Sequence, residues 1–382
     1  MDSAEHEGLR PKGNVPNLRF PEFQGEWKRT IFKNVITLQR GSSPRPIIEY
    51  VTTSDDGVNW IKIGDMPHFG RIVTSTEEKI TKEGAKKSRQ VNKGDLILSN
   101  SMSYGLPYIM GIDGYIHDGW FVLKNFENTF DKDYLCNLLI SSAIQNQYER
   151  LAAGGVVQNI SSDLVNSVSV SIPTMMEQKK ISSLLNLIDE RIATQNKIID
   201  KLQSLIKGIA QKIVRSNKPN VRLYECVECS SSTQQESEVC EQGAYPVYGA
   251  NGIVGYLDDY NTEGEAVYII KDGSGVGTVS YVTGKCSATG TLNTLEAKDG
   301  YSLQYLYYLL KVFNFEPYKT GMAIPHIYFK DYGKAKVFCP SYTEQLQYAR
   351  LLSAIDSKLS VEKNTLRNLS LQKQYLLRQM FI

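Results

Sequence analysis

The sequence of 382 residues has no excess of either charge and no apolar run long enough to cross a membrane. Its 43 basic and 41 acidic side chains leave a formal net charge of +2, so net charge alone indicates no polyanionic partner. Because no run approaches the roughly 18 apolar residues that a membrane span needs, and because residues 1–16 have no apolar stretch of signal-peptide type, we predict a cytoplasmic protein without a membrane partner. Six cysteines are too few for a disulfide framework in a chain of this length.

Signatures of catalysis and of metal binding are also missing. No two prolines are adjacent, which excludes the Asp/Asn-Pro-Pro-aromatic motif of amino-methyltransferases. The glycines of 273–277 do not fit G-x-G-x-x-G, and Gly284-Lys285 lacks the upstream glycine of a phosphate loop. Cys226 and Cys229 form one C-x-x-C without a second pair at zinc spacing. The sequence therefore predicts a non-catalytic chain that binds neither a metal nor a cofactor.

The chain contains an internal repeat at a shift of 167 positions. This shift brings Pro173 onto Pro340 and the pair Glu177-Gln178 onto Glu344-Gln345. It also aligns Ile188-Asp189 with Ile355-Asp356. We therefore predict two half-length units, each consisting of a globular domain followed by a long helix.

Each long helix carries an apolar seam with steps of three and four residues, which is typical of a coiled coil. The seam and spacer positions are Ile181, Leu185, Ile188, Ile192, Gln195, Ile199 and Leu202 in the first helix and Leu352, Ile355, Leu359, Glu362, Leu366 and Leu369 in the second. Polar residues interrupt both seams at the matching positions 195 and 362. Pairing of the two helices with each other is favoured because the chain tethers them. Pairing with a second copy of the chain is the alternative, and the seams leave the orientation open.

The predicted fold class is α+β, with two β-rich globular domains separated by the two long helices. Short apolar runs bounded by turn residues indicate buried strands in both domains. One short helix is expected in each domain, over 134–151 and over 303–311. The predicted boundaries are a flexible leader at 1–16, a first domain at 17–172, a first helix at 173–215, a second domain at 216–340 and a second helix at 341–382.

Polar loops in both domains have the composition of a base-reading surface. Small residues permit close approach, amides and hydroxyls can reach base edges, and cations can contact phosphate or guanine. The alternative is that glycine, serine and asparagine serve here only as turn formers. The candidate DNA-binding residues are Arg40, Ser42, Ser43, Arg45, Asn100, Ser101, Ser103, Tyr104, Gln158 and Asn159 in the first domain and Tyr248, Asn251, Lys271, Asp272, Ser274 and His326 in the second.

Two variable domains alternating with two repeated helices resemble the specificity subunit of Type I restriction-modification systems. The repeated P-x-x-x-E-Q and I-D motifs at Pro173 and Pro340 are the most specific part of the resemblance. Further matching segments are NLRFP at 17–21, EW at 26–27, YPVYGANG at 245–252 and YNTEGEA at 260–266.

The resemblance implies a subunit that reads DNA and performs no chemistry. In that family two target-recognition domains each read one half of a split, asymmetric site, and the two helices pack antiparallel as a spacer, which gives the chain a pseudo-twofold internal repeat. The implied partners are double-stranded DNA, two modification (methyltransferase) subunits and two restriction (endonuclease/translocase) subunits. The complex would use S-adenosylmethionine, ATP and Mg²⁺, with none bound by this chain.

Two other classes of function remain open on the residues alone. One is a coiled-coil interaction scaffold whose near-neutral, tyrosine-rich domains bind protein or glycan. The other is an enzyme with an unrecognised site. Charge is also unevenly distributed, since both helices have more basic than acidic side chains and the second domain has the reverse. We therefore expect the second domain alone to bind DNA weakly.

Overall fold

The structure is a computed structural model that describes residues 13–67, 69–101, 105–152, 160–321 and 324–382. The chain divides into two compact units. Unit 1 comprises the residues up to Asn196 together with Thr365–Ile382, and unit 2 comprises Lys197–Asn364. Both combine helices with sheets, which confirms the predicted α+β class. Among the described residues, no helix has the length and apolar character that a bilayer span requires.

Unit 1 contains two five-stranded sheets, ordered β3-β6-β4-β10-β7 and β2-β11-β8-β9-β5, and the antiparallel pair β1-β12. Its strands are β1 (Lys28–Ile31), β2 (Thr37–Arg40), β3 (Val51–Thr52), β4 (Val58–Ile61), β5 (Ile72–Val73), β6 (Glu78–Ile80), β7 (Arg89–Val91), β8 (Leu96–Ser99), β9 (Pro107–Met110), β10 (Gly114–Ile116), β11 (Trp120–Lys124) and β12 (Ser169–Ile172). Its helices are α1 (Lys82–Ala85), α2 (Lys132–Ile140), α3 (Ser142–Ala152), α4 (Ser162–Ser167) and the first part of α5 (Met175–Arg215).

The central strands β8 and β11 are buried on both faces because each face covers a different core. Leu96, Leu98 and Phe121 belong to a core shared with α2 and with the long helices. The intervening Ile97 and Val122 belong to the core facing the other sheet. This alternation follows from the two-residue period of a strand, and it explains why these strands are almost continuously apolar in sequence.

The single helix predicted over 134–151 is wrong, because the structure has two helices there. Helix α2 ends at Ile140, and Ser141 has an extended backbone (φ −69°, ψ 153°). The carbonyl of Ser141 then accepts hydrogen bonds from the backbone N–H groups of Ile144 (3.1 Å) and Gln145 (3.0 Å). The hydroxyl of Ser141 donates to the carbonyl of Leu138 (2.6 Å) in the last turn of α2, so Ser141 ends one helix and begins the next.

Unit 2 has a four-stranded sheet, β14-β20-β17-β18, a three-stranded sheet, β16-β15-β19, and the antiparallel pair β13-β21. Its strands are β13 (Val221–Arg222), β14 (Val227–Ser231), β15 (Tyr245–Gly249), β16 (Gly252–Leu257), β17 (Glu265–Ile270), β18 (Val279–Thr283), β19 (Ser287–Ala288), β20 (Leu292–Ala297) and β21 (Lys336–Val337). Its helices are the last part of α5, α6 (Leu223–Cys226), α7 (Leu303–Leu310), α8 (Phe329–Tyr332) and the first part of α9 (Tyr342–Gln379). The order β14-β20-β17-β18 corresponds to β2-β11-β8-β9 of unit 1.

The long helices α5 and α9 begin and end close to the predicted limits, and each contributes to both units. Every predicted seam residue is buried or partly buried. In unit 1, Leu185 of α5 shares a core with Leu376 of α9, and Lys373 forms an ion pair with Asp189. In unit 2, Ala210 of α5 and Leu352 of α9 line the same small cavity. Within each unit, therefore, an early part of one helix lies beside a late part of the other.

A buried glutamine in the first turn of α5 joins this helix to the globular part of unit 1. Oε1 of Gln178 accepts a hydrogen bond from the backbone N–H of Asp131 (2.9 Å), the N-cap residue of α2. Nε2 of Gln178 donates to the carbonyl of Pro173 (3.1 Å) and to that of Thr129 (2.9 Å). One side chain therefore pairs main-chain groups at the start of two helices.

The repeated residue Gln345 makes the corresponding contacts in unit 2. Its Oε1 accepts from the backbone N–H of Ser302 (2.9 Å), the N-cap residue of α7. Its Nε2 donates to the carbonyl of Pro340 (2.9 Å). In each unit, therefore, the repeated glutamine links the long helix to a short helix of the same domain through main-chain hydrogen bonds.

We predict that Gln345→Ala lowers the free energy of unfolding by about 1–3 kcal/mol, because it leaves the buried backbone N–H of Ser302 and the partly buried carbonyl of Pro340 without this partner. The measurement is urea denaturation followed by circular dichroism. Gln347→Ala is the matched control, since Gln347 is exposed on the same helix; it should change stability by less than about 0.5 kcal/mol. Equal effects of the two substitutions would mean that the hydrogen bonds of Gln345 do not stabilise the fold.

Candidate nucleic-acid interface

Three loops of unit 1 meet at one edge of the sheet that contains β2, β11 and β8. Arg40 ends β2 opposite Phe121 of β11, and Ser99 ends β8 opposite Trp120. The backbone N–H of Gly41 donates to the carbonyl of Trp120 (2.8 Å). The loops that follow β2 and β8 and the loop that precedes β11 therefore lie side by side.

Asp118, in the loop before β11, is the centre of this cluster. Its Oδ1 accepts a hydrogen bond from Oγ of Ser43 (2.8 Å), and its Oδ2 forms an ion pair with Nη2 of Arg45 (3.0 Å). Its backbone carbonyl accepts from Nδ2 of Asn100 (2.9 Å) and from Nε of Arg40 (3.3 Å). The structure thus brings together four of the residues that the sequence singled out, two at the carboxylate and two at the backbone carbonyl of an aspartate that sequence reasoning missed.

The carboxyl group of Asp118 stays ionised in this setting. Partial burial alone would raise its pKa, but the Ser43 hydroxyl, a backbone hydrogen bond and the Arg45 guanidinium outweigh burial, so the pKa is lowered. The Asp118 side chain is 43% exposed, whereas Asn100 is only 2% exposed. Asn100 therefore fixes the loop, while the carboxylate and Arg45 face solvent.

His117 is a second residue of this site that the sequence analysis did not select. Its ring packs against those of Trp60 and Trp120, with centroid distances of 6.2 and 6.3 Å. Its Nδ1 accepts a hydrogen bond from the backbone N–H of Gly119 (2.8 Å). Burial lowers the pKa of His117, so the neutral ring packs against the loop and holds Gly119 in place.

The other predicted residues of the first domain have mixed placements. The backbone N–H of Ser42 donates to the carbonyl of Ile116 (3.3 Å), and Oγ of Ser101 lies next to Gly119. Ser103, Tyr104, Gln158 and Asn159 lie outside the described residues.

In unit 2, the loop after β17 occupies the place that the loop after β8 has in unit 1. The carbonyl of Asn100 accepts from the backbone N–H of Ile160 (2.8 Å), and the carbonyl of Lys271 accepts from that of Ile327 (2.9 Å). Ile160 and Ile327 are themselves equivalent under the sequence repeat. The two candidate interfaces are therefore built on the same framework.

Asp272 and His326 form the polar centre of the site in unit 2. Oδ1 of Asp272 lies 2.7 Å from Nδ1 of His326, and both side chains are about one-third exposed (36% and 35%). The backbone N–H of Gly273 donates to the carbonyl of Pro325 (3.0 Å). Ser274 is exposed in the same loop as Asp272.

Tyr248 and Asn251 lie on the separate β15-β16 hairpin. The ring of Tyr248 packs against that of Tyr268 at 5.7 Å, and its carbonyl accepts from the backbone N–H of Thr289 (2.9 Å). Tyr248 is therefore largely engaged in packing, whereas Asn251 is exposed at the hairpin turn.

The cysteines of the described residues carry no disulfide. Sγ of Cys226 lies 3.8 Å from Sγ of Cys339, and both thiols are buried. In the part of the chain that the structure describes, no group of three or more histidine, cysteine or acidic residues is placed to hold a metal ion.

Gly41→Ala should disrupt the interface of unit 1, because an added Cβ would come within 1.9 Å of the carbonyl oxygen of His117. This neighbour is backbone and cannot rotate away, so we expect a loss of more than about 2 kcal/mol in the free energy of unfolding, read from urea denaturation. At Gly64 an added Cβ meets no atom within 4 Å, and Gly64→Ala is the control. A near-neutral Gly41→Ala would mean that the loops are not closely packed.

Acidification should destabilise unit 1 through His117. Its pKa in the folded chain lies below the ordinary value of 6.5 because of burial. The unfolded chain therefore binds more protons between the two values, and stability is lost as pH falls from about 6.5 through the folded-state pKa. We expect His117→Gln to flatten the dependence of urea stability on pH between 7.5 and 5. An unchanged slope in His117→Gln would contradict this.

Comparison with known proteins gives the family. The model of the Type I restriction modification DNA specificity domain matches residues 25–204 and again residues 220–370. The Type I restriction enzyme EcoprrI specificity subunit of Escherichia coli is 20% identical over 350 residues, which is 85% of this chain and 86% of that protein. A putative type I specificity subunit of Mycoplasma genitalium is 26% identical over 261 residues, covering 62% of this chain and 68% of that protein.

Solved structures share the fold. The crystal structure of the Type-I restriction-modification S subunit from M. genitalium has a TM-score of 0.64 at 19% identity and covers 96% of this chain and 99% of that chain. A chain from a structural study of assembly and conformational transition in the type I R-M system has a TM-score of 0.56 at 16% identity, with 92% and 96% covered. The predicted resemblance is thereby confirmed, and with it the assignment to a DNA-recognition component that is not an enzyme. The chain belongs to the Type I restriction-modification DNA specificity family.

Proposed function

We propose that this chain reads a bipartite, asymmetric site on double-stranded DNA, with unit 1 on one half-site and unit 2 on the other. The observation that carries the proposal is the shared framework of the two candidate interfaces. Asn100 after β8 and Lys271 after β17 hold equivalent loops through equivalent hydrogen bonds. Two loop clusters with different side chains on one framework are suited to reading two different sequences.

The side chains around the unit 1 cluster can divide phosphate contacts from base contacts. Nε of Arg89 donates to the carbonyl of Arg40 (3.2 Å), which joins the exposed cationic segment 86–93 to the cluster around Asp118. Cations at the margin can neutralise phosphates, and the polar groups at the centre can face base edges. In unit 2, Lys271, Ser274 and His326 supply the same kinds of group.

The long helices are proposed to pair antiparallel as an intramolecular coiled coil and to act as the spacer between the half-sites. The contacts inside each unit support this, because Lys373 meets Asp189 in unit 1 and Leu352 lies beside Ala210 in unit 2. Polar Gln195 and Glu362 are buried at 8% and 9% exposure. Polar residues within a coiled-coil seam typically specify pairing and register.

Family membership supports the remaining parts of the proposal. The chain would act in the cytoplasm as a scaffold for two modification and two restriction subunits. S-adenosylmethionine, ATP and Mg²⁺ would be used by those subunits. The excess of basic side chains on both long helices would suit acidic partner surfaces or passing DNA.

The test is selection from random duplex DNA by the full chain together with its modification subunits. We expect enrichment of two short sequence blocks separated by an unread spacer, with binding that weakens as salt rises. Arg45→Ala should alter one block and Ser274→Ala the other, since these side chains are exposed in different units. Arg29→Ala, an exposed substitution on β1, should alter neither. If no sequence is enriched over the random pool, the proposal is contradicted and a protein- or glycan-binding scaffold is favoured.

A further inference from the structure

Each candidate interface has one carboxylate at its centre, and each carboxylate is followed by a glycine. These are Asp118-Gly119 in unit 1 and Asp272-Gly273 in unit 2. Gly273 has a left-handed backbone (φ +96°), and at Gly119 an added Cβ would lie 2.2 Å from Cε1 of His117. Both turns therefore need glycine, which also lets the main chain approach a flat surface closely.

Neighbouring side chains hold both carboxylates in place, and both carboxylates remain exposed to solvent. Asp118 is fixed by Ser43 and Arg45, and Asp272 is fixed by His326. A carboxylate can accept about four hydrogen bonds, and these side-chain contacts use two at Asp118 and one at Asp272. With 43% and 36% of the side chains exposed, acceptor positions on both carboxylates are open to solvent and available to a ligand.

A carboxylate at a DNA surface repels phosphates, so it gains binding energy only against a hydrogen-bond donor on a base edge. In the major groove these donors are N4 of cytosine and N6 of adenine. Beside N6, adenine presents the N7 acceptor, which repels the second carboxylate oxygen. Cytosine presents only a C–H group beside N4, so a carboxylate favours cytosine.

We propose that Asp118 and Asp272 each accept a hydrogen bond from the N4 amino group of a cytosine, one in each half-site. The inference rests on the proposed reading of a bipartite site and names the base pair that each centre specifies. Ser43, Arg45 and His326 act as positioning residues, because they orient the two carboxylates before DNA arrives. Each half-site of the recognised sequence therefore contains a C·G pair that depends on one of these residues.

The experiment maps methylated adenines produced by the full chain with its modification subunits, comparing the native chain with Asp118→Asn and Asp272→Asn. Asparagine keeps the side-chain shape and pairs preferentially with adenine. We expect Asp118→Asn to reduce the preference for one C·G pair about tenfold or more in one half-site, with adenine gaining there. Asp272→Asn should do the same in the other half-site only. Asp55→Asn and Asp299→Asn, both exposed, are the controls and should leave the motif unchanged.

Three results would overturn the inference: a motif unchanged in both variants, a change at a pair other than C·G, or a change in both half-sites from one substitution. Absence of any bipartite motif with the native chain would instead refute the proposed function. If a variant complex fails to assemble, the native complex is tested on DNA in which the cytosine of the half-site is replaced by 2-pyrimidinone, which lacks the amino group. Binding should then fall about tenfold, and undiminished binding would overturn the inference.

Discussion

The hydrogen bonds of Gln178 and Gln345 set the path by which each long helix leaves its globular domain. Each glutamine pairs a backbone N–H at the start of the short helix with a carbonyl just before the long one. An unpaired main-chain group in this interior costs as much as a lost hydrogen bond. The spacing from proline to glutamine is therefore fixed, and the seam of each helix is presented to its core from that point onward.

The residue before each glutamine shows how one repeated motif serves two surroundings. Glu177 is fully buried, where it receives two hydrogen bonds from the guanidinium of Arg19 and one from the indole N–H of Trp27. Glu344 is exposed and accepts from the backbone N–H and hydroxyl of Ser341 at the helix start. The glutamine therefore makes the same contacts in both units, whereas the glutamate binds an arginine and a tryptophan in unit 1 and caps the helix start in unit 2.

The long helices and the apolar strands before the candidate loops can be predicted from the sequence, because they depend on period and on repeat. The seam follows from steps of three and four residues, and the equivalence of the loops after β8 and β17 follows from neighbouring apolar runs. The break at Ser141 was missed, because helix-favouring residues continue on both sides of it and neither proline nor glycine marks it. Local pattern does not reveal where a packed helix must change direction.

Asp118 and His117 were missed for a different reason. The composition typical of a base-reading loop is amides, hydroxyls and cations, whereas the centre of the unit 1 cluster is a carboxylate beside a partly buried neutral histidine. Both lie in a loop before β11, and only the fold brings that loop to Arg45 and Asn100. Asp-Gly occurs at both centres, but it also occurs at 56–57, 113–114 and 299–300, so this dipeptide does not single them out.

Unit 1 is assembled from segments at opposite ends of the sequence. Phe381 packs on Tyr134 at 5.2 Å between ring centroids and belongs to the unit 1 core, and the backbone N–H of Leu18 donates to the carbonyl of Gln379 (2.9 Å). During translation, the first domain therefore emerges with part of its core uncovered, since residues 365–382 of unit 1 are made after all of unit 2. Unit 2 is made of one continuous segment, so all its residues have been synthesised before those of unit 1 are complete.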